Sequence, residues 1–351
     1  MGREVELKLD LSAKAATALA ESGLLGRAAV PRQLVTIYFD TPRGHLQRHE
    51  LTLRIRREGR GMVQTVKARN GPAAGLFARS EWEWPVAAMA PEIDERTPVA
   101  NALGGQAGEL VPCFTVTVER ARFTLPEGES RMAVALDRGQ VAALDRTAAF
   151  VELELELECG HPRDLFTVAR RLDRAAPVRI GALSKADRGF RLIAELRDHA
   201  KAGAPRLDPA LGPVGACAAI VTDCLHHYRV NEAILLAQRV PEALHQARVA
   251  LRRLRSAHAV FAPLLRDDTS ARLDGEVRRL ARILGVARDF DVLWERSGPE
   301  RRARLAPGRE QAWRQVAAAR GSAAPRHLVR DLAAWSLPGT RGRAPATAAR
   351  R

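Results

Sequence analysis

The 351-residue chain contains no run of about 20 apolar residues, so no membrane-spanning helix is expected. A strand pattern begins at the N-terminus in place of a signal-peptide apolar region, which favours a cytoplasmic location. Cysteine is scarce. Cys113, Cys159, Cys217 and Cys224 are scattered, with no CxxC pair and no Cys/His cluster at zinc spacing, so reduced thiols are expected. There is no Walker lysine loop and no GxGxxG behind a strand, which argues against a P-loop or Rossmann nucleotide site. Aromatic residues make up 5%, and no aromatic platform or base-reading module is visible, so specific nucleic-acid recognition is not expected.

Charge is abundant and unevenly placed. Residues 1–220 hold 31 Lys+Arg against 28 Asp+Glu, whereas residues 221–351 hold 25 Arg against 13 acids. The second part therefore exerts most of the long-range pull on a polyanion. The first part is patterned differently. In Arg3-Glu4-Val5-Glu6-Leu7-Lys8-Leu9, Glu4, Glu6 and Lys8 share one strand face and Val5, Leu7 and Leu9 the other. The device recurs in Leu53-Arg54-Ile55-Arg56, around Lys67, in Arg79-Ser80-Glu81-Trp82-Glu83 and in Val151-Glu152-Leu153-Glu154-Leu155-Glu156. Closed into a barrel, such strands make a charge-lined tunnel jacketed by apolar packing.

Along the chain, a short helix is expected from Ser12 to Glu21, with Ser12 as N-cap. Strands are expected near 32–39, 50–58, 61–69, 77–86, 113–124, 131–138, 141–147 and 149–159. Asp137-Arg138-Gly139-Gln140 reads as a turn between two of them, and 191–196 as a last short strand. Pro162 to Ala175 reads as a helix with the stripe Leu165, Phe166, Ala169 and Leu172. Beyond 199–215, rich in Pro and Gly, the period changes to 3.6. Helices are expected at 214–240, from Pro241 to about 265, at 270–285 ending near Gly285, at 299–320 and at 325–337. The fold class is thus α+β: an eight-stranded antiparallel β-barrel with flanking helices, then an all-α bundle. The boundaries are 1–198 for the barrel, 199–215 for a linker, 216–337 for the helical domain and 338–351 for a disordered tail.

The inward candidates carry both signs. Lys8, Arg54, Arg56, Lys67, Arg120 and Lys185 are basic, with Arg79 a weaker member. Glu4, Glu6, Glu81, Glu83, Glu152, Glu154 and Glu156 are acidic. Phosphate oxygens need several cationic donors, and hard Mg²⁺ or Mn²⁺ ions need carboxylates, so a metal–polyphosphate substrate accounts for both sets. These residues resemble the signature of the CYTH, or triphosphate tunnel metalloenzyme, superfamily. The likeness runs through Glu4-x-Glu6-x-Lys8, Tyr38-Phe39-Asp40-Thr41, Leu53-Arg54-Ile55-Arg56, Lys67, Glu81-x-Glu83, Arg120, Asp137-x-Gly139, Glu152-x-Glu154-x-Glu156 and Ser184-Lys185. The resemblance implies that Glu4, Glu6, Glu152 and Glu154 face the metal, with Glu4 and Glu6 also catalytic. It implies that Lys8, Arg54, Arg56, Lys67, Arg120 and Lys185 bind phosphate, and that Lys185 helps position the attacking water. Glu81, Glu83, Glu156 and Arg79 are additional tunnel candidates. Inorganic triphosphate hydrolysis is the leading expectation. Thiamine triphosphate or nucleotide hydrolysis, adenylate cyclase chemistry and an idle polyphosphate-binding tunnel are the alternatives.

In the helical part, His245, Arg248, Arg252 and Arg255 stack at spacings of three, four and three. His245-x-x-Arg248-Val249-x-x-Arg252-Arg253-Leu254-Arg255 and Gly285-x-x-Arg288-Asp289-x-Asp291 resemble the CHAD domain, a helical module associated with inorganic polyphosphate. That resemblance implies His245, Arg248, Arg252, Arg253 and Arg255 as phosphate contacts, with Arg278, Arg282 and Arg288 beside them. A full domain of that kind has two related helical halves. The chain covers roughly the first, so a short or truncated domain is expected. Oligomeric state is not legible in the sequence.

Overall fold

Alternation in the N-terminal segment becomes strand β1 (Gly2–Asp10), which buries Leu7 and Leu9 on one face while Glu6 and Lys8 point the other way. The computed structural model describes residues 2–26, 29–68, 75–194, 198–205, 207–265 and 268–337. The chain divides into two compact units, Met1–Arg197 and Asp198–Arg351.

In the first unit β1 is followed by α1 (Ala13–Glu21), β2 (Arg32–Asp40), α2 (His45–Arg48), β3 (Leu51–Glu58), β4 (Gly61–Ala68) and β5 (Leu76–Pro85). Then come α3 (Val99–Leu103), β6 (Val111–Glu127), β7 (Ser130–Ala143), β8 (Arg146–Cys159), α4 (Pro162–Ala175), β9 (Arg179–Ile180) and α5 (Lys185–Ile193). The strands pair antiparallel in the order β5-β4-β3-β2-β6-β7-β8-β1, and β1 also pairs with β5. The first residues of β1 run beside β5 (Glu4 opposite Arg79), and the last beside β8 (Lys8 opposite Glu154). One strand thus closes an eight-stranded barrel and leaves no free edge among these strands.

Outside the barrel, α2 and α3 cover Phe39, Leu51, Leu53, Ile55 and Val66. Helix α4 packs against β1 and β8 with Leu165, Phe166, Ala169 and Leu172 buried. The Ser12 hydroxyl accepts from the Ala15 amide at 3.1 Å and caps α1 as expected. Asp40 is buried and structural: its carboxylate accepts from the Leu46 and Gln47 amides at 2.9 Å and so starts α2.

The barrel interior is not charged throughout. Leu34, Tyr38, Phe114, Val116, Val118 and Phe150 occupy inward positions and pack on Ala186 and Leu192 of α5. The charged positions of β6 and β8 follow along the same faces, from Arg120 and from Glu152.

Two expectations in this unit are corrected. Asp137 to Gln140 is not a turn but the middle of β7, in register with Thr117–Arg120 and with Ala149–Glu152 on either side. Gly139 serves close approach: a Cβ there would lie 2.4 Å from the Thr117 carbonyl oxygen. The turn falls after Ala143, where Leu144 adopts φ of 55°. Residues 191–193 end α5 and form no strand, because Ser184 and Asp187 build a capping box that launches a helix there; residues 195–196 lie outside the described set.

The second unit is helical: α6 (Pro213–Ala237), α7 (Pro241–Phe261), α8 (Asp268–Glu295), α9 (Pro299–Gly321) and α10 (Ala323–Trp335). Pro213, Pro241 and Pro299 open their helices, where a missing N–H costs nothing. Helix α6 packs on α7 and α10, and α8 on α7, α9 and α10. Helix α8 does not stop near Gly285 but runs ten residues further. The tail expected from 338 lies outside the described residues.

Candidate functional site

Strand parity turns the charged residues into one cavity of about 250 Å³ inside the barrel. Glu4, Glu6 and Lys8 reach it from β1, Arg54 and Arg56 from β3, and Lys67 from β4. Arg79, Glu81 and Glu83 come from β5, Arg120 and Arg122 from β6, Glu154 and Glu156 from β8, and Lys185 from the first turn of α5. Glu152 lies behind this lining, wholly buried, against Lys185.

The deepest group is acidic. Carboxylate oxygens of Asp137, Glu152 and Glu154 lie within 4.8 Å of one another. Lys185 Nζ touches all three, at 2.7 Å from Asp137, at 3.0 Å from Glu154 and in contact with Glu152. Arg120 grips Asp137 with two bonds of 2.7 and 2.6 Å and donates to Glu154 at 2.7 Å. Lys8 contacts Glu154 and lies 3.2 Å from Glu6. Burial acts to raise the Glu154 carboxyl, but Lys185, Lys8 and Arg120 hold it well below the usual range. At Glu152 burial wins, and its carboxyl is raised.

The group around β1 and β5 is also rich in acid. Lys67 donates to Glu4 at 2.7 and 2.8 Å and lies 3.3 Å from Glu81. Arg79 contacts Glu6 and lies 3.9 Å from Glu4. Burial would raise Glu6, yet Lys8, Lys67 and Arg79 bring it down to about 2. Glu156 is pushed up by burial and then by Glu4 and Glu6.

The opposite wall is basic. Arg56 reaches Glu83 at 3.2 Å and Arg122 reaches Glu58 at 3.1 Å. Arg54 forms no ion pair among the described residues, and its Nε is buried without a hydrogen-bond partner. Its neighbour Tyr38 stacks on Phe114, with ring centroids 4.6 Å apart.

A hard divalent cation fits this donor set. Every acidic group offers only oxygen, and Glu152 Oε2 is a buried acceptor with no hydrogen-bond partner. The sequence reading missed Asp137 as a site residue because it placed Asp137 in a turn. A signal was present: Ala133, Ala135 and Asp137 alternate on β7 opposite Glu156, Glu154 and Glu152, so two small residues leave room for long neighbours.

In the helical unit, His245 sits near Arg248, Arg252 and Arg288; burial first, then these cations, lower its imidazole against the pull of Glu242. Arg248 packs over Gly285, where a Cβ would lie 2.9 Å from its guanidinium. Arg248, Arg252, Arg255 and Arg282 have no carboxylate partner among the described residues, and Arg288 lies 3.6 Å from Glu295. Arg253 turns elsewhere and pairs with Asp223 on α6 at 2.9 Å. Arg278 pairs with Asp274 on its own helix. No described helix is long and apolar enough to cross a membrane.

Comparison with known proteins gives two family matches, the CYTH domain over residues 2–190 and the CHAD domain over residues 219–351. An inorganic triphosphatase from Haemophilus influenzae is 28% identical over 203 residues, covering 55% of this chain and 55% of that protein. The chain therefore spans about half the length of that relative. Among solved structures, a Hippeastrum protein named as a candidate adenylyl cyclase, with a dominant triphosphatase activity, matches at 20% identity and a TM-score of 0.43. That match covers 52% of this chain and 93% of the other. A Bacillus halodurans protein named as a candidate adenylate cyclase matches at 18% identity and a TM-score of 0.41, over 54% of this chain and all of the other.

Proposed function

The chain belongs to the CYTH family, with a CHAD domain following, and from that premise we propose that its barrel hydrolyses inorganic triphosphate to diphosphate and phosphate with Mg²⁺ or Mn²⁺. One observation carries the reading. A single cavity, lined by Glu154 from the carboxylate group suited to a hard cation, also has a basic wall where half-buried Arg54 leans on Tyr38, has no carboxylate partner among the described residues and keeps a buried Nε without a hydrogen bond. Buried guanidinium without a carboxylate is costly unless an anion completes it.

Glu152, Glu154, Glu4 and Glu6, joined by Asp137, would hold the metal. When bound, it supplies charge neutralisation at the phosphoryl oxygens and activation of a water. Arg54, Arg56, Arg120, Lys8 and Lys67 bind and orient the phosphate chain through several cationic donors. Their positive charge offsets what builds on the leaving diphosphate oxygen as the terminal P–O bond breaks. Lys185, at the acidic end of the cavity, is suited to orient the attacking water. Tyr38 is the one aromatic among the described lining residues, and its ring face is taken by Phe114, so the described lining offers no stacking platform for a nucleobase or thiamine in support of an organic substrate.

The helical unit is proposed to bind inorganic polyphosphate through His245, Arg248, Arg252 and Arg255, with Arg282 and Arg288 beside them. The unpaired arginines support that reading. Arg253 and Arg278 are better explained by their carboxylate partners.

The test is phosphate release from tripolyphosphate, ATP and thiamine triphosphate with Mg²⁺, Mn²⁺ or EDTA, beside a Glu4→Ala/Glu6→Ala variant. Metal-dependent release from tripolyphosphate, lost in the variant, is the expected outcome. Release confined to ATP or thiamine triphosphate, or release of pyrophosphate from ATP with ring closure, would replace the substrate assignment.

A further inference from the structure

We infer that Lys185 is a tethered counter-cation that a divalent metal must expel from the Asp137–Glu152–Glu154 cage, so that metal entry itself swings the lysine toward the phosphate cavity. The inference rests on the proposed metal-dependent reading and deepens it. It begins with occupancy. The Lys185 ammonium contacts one oxygen from each of the three carboxylates, the same three residues whose oxygens cluster within 4.8 Å. A magnesium-like ion takes carboxylate oxygens at about 2.0–2.1 Å, so an ion bridging these acids would overlap the ammonium.

Charge balance agrees. Three carboxylates already face Lys185, Lys8 and Arg120, with Arg188 3.6 Å from Glu152. Two further positive charges can settle there only if a resident cation leaves. Arg120 is fixed by its bidentate grip on Asp137, and Lys8 is shared with Glu6 across β1. Lys185 alone touches all three acids and is held by its ammonium, not by a fork.

The backbone under Lys185 does not move with it. Ser184 and Asp187 form the capping box at the start of α5, and Ala186 and Leu192 are locked in the apolar cluster with Tyr38 and Phe114. Only the side chain can swing, and its neighbours Ser184 and Ala186 line the cavity with it. Glu152 Oε2, buried and without a hydrogen-bond partner, is an acceptor that the ammonium leaves unused. Metal loading therefore couples two events: the acids exchange a monovalent for a divalent partner, and a cation is released on the side where triphosphate lies.

The experiment titrates Mn²⁺ into the full chain by calorimetry with no phosphate compound present, comparing the protein with Lys185→Met. The expected result is Mn²⁺ binding tightened by about tenfold or more in the variant, since a competing like charge is gone. Unchanged or weaker Mn²⁺ binding in folded Lys185→Met overturns the inference. Should that variant fail to fold, ¹⁵N NMR of the lysine ammonium groups in the unaltered protein reads the same event. The chain has few lysines (Lys8, Lys14, Lys67, Lys185 and Lys201). A large shift of the Lys185 signal on adding Mg²⁺ is expected, and an unmoved signal at saturating Mg²⁺ overturns the inference. Absence of metal binding in every form overturns both this inference and the metal-dependent reading. Metal binding that ignores Lys185, with tripolyphosphate still hydrolysed, removes the inference alone.

Discussion

Arg54 and Arg120 both point into the cavity, yet their removal should have opposite signatures. Arg54 has no acid partner among the described residues, so Arg54→Ala leaves no carboxylate unpaired and frees only the Tyr38 hydroxyl at the cavity wall. Its expected effect is a rise of about 10- to 100-fold in KM for tripolyphosphate, the size of a lost charged hydrogen bond, with stability unchanged or raised. Arg120→Ala takes three charged hydrogen bonds from Asp137 and Glu154, which keep Lys185 and Lys8, and a loss of about 1.5–3 kcal/mol in unfolding free energy is expected. Urea unfolding beside steady-state kinetics separates the two, and equal destabilisation would contradict the assignment. At this scale the sequence was legible wherever side chains alternate. Glu4, Glu6, Lys8, Arg54 and Arg56 follow strand parity to the cavity. Asp137 was hidden because Asp-x-Gly reads as a turn, although the glycine here permits backbone contact across two strands.

Elements were legible where a period or a cap marks them and illegible where glycine has two meanings. Period-two alternation gives β1, and Ser12 gives the start of α1. Helix α8 passes through Gly285 because that position makes room for Arg248 instead of ending the helix. This predicts an unusual substitution. Gly285→Ala improves helix propensity by about 1 kcal/mol, and the atom it meets is the far end of a flexible side chain. Stability should hold or rise, while polyphosphate affinity falls because Arg248 is displaced from the basic face. Thermal melting and a polyphosphate titration check both halves, and unchanged affinity would remove Arg248 from the proposed contact set. The Asp40-Thr41 pair shows the converse. It belongs to the family motif, but what it does here is cap α2.

Across the whole molecule, charge is distributed in two styles. The barrel pairs nearly every cation with an acid inside a cavity, whereas residues 221–351 carry 25 arginines against 13 acids. Exposed charge is screened by salt and buried pairs much less so. Polyphosphate affinity should therefore fall steeply as sodium chloride rises from low to physiological concentration, while KM for tripolyphosphate changes less. Equal salt slopes would mean that one surface serves both ligands. A last consequence follows from the alternation along β1. Fold and chemistry are written on alternate letters of one segment: Leu7 and Leu9 are wholly or almost wholly buried, and Glu4, Glu6 and Lys8 face the cavity. Point changes can thus alter one property and spare the other, so substrate preference is free to drift on an intact scaffold. A single-residue insertion or deletion cannot, because it exchanges the two sets at a stroke. Lineages carrying this barrel are therefore expected to vary by replacement within strands and by length only in the connections between them.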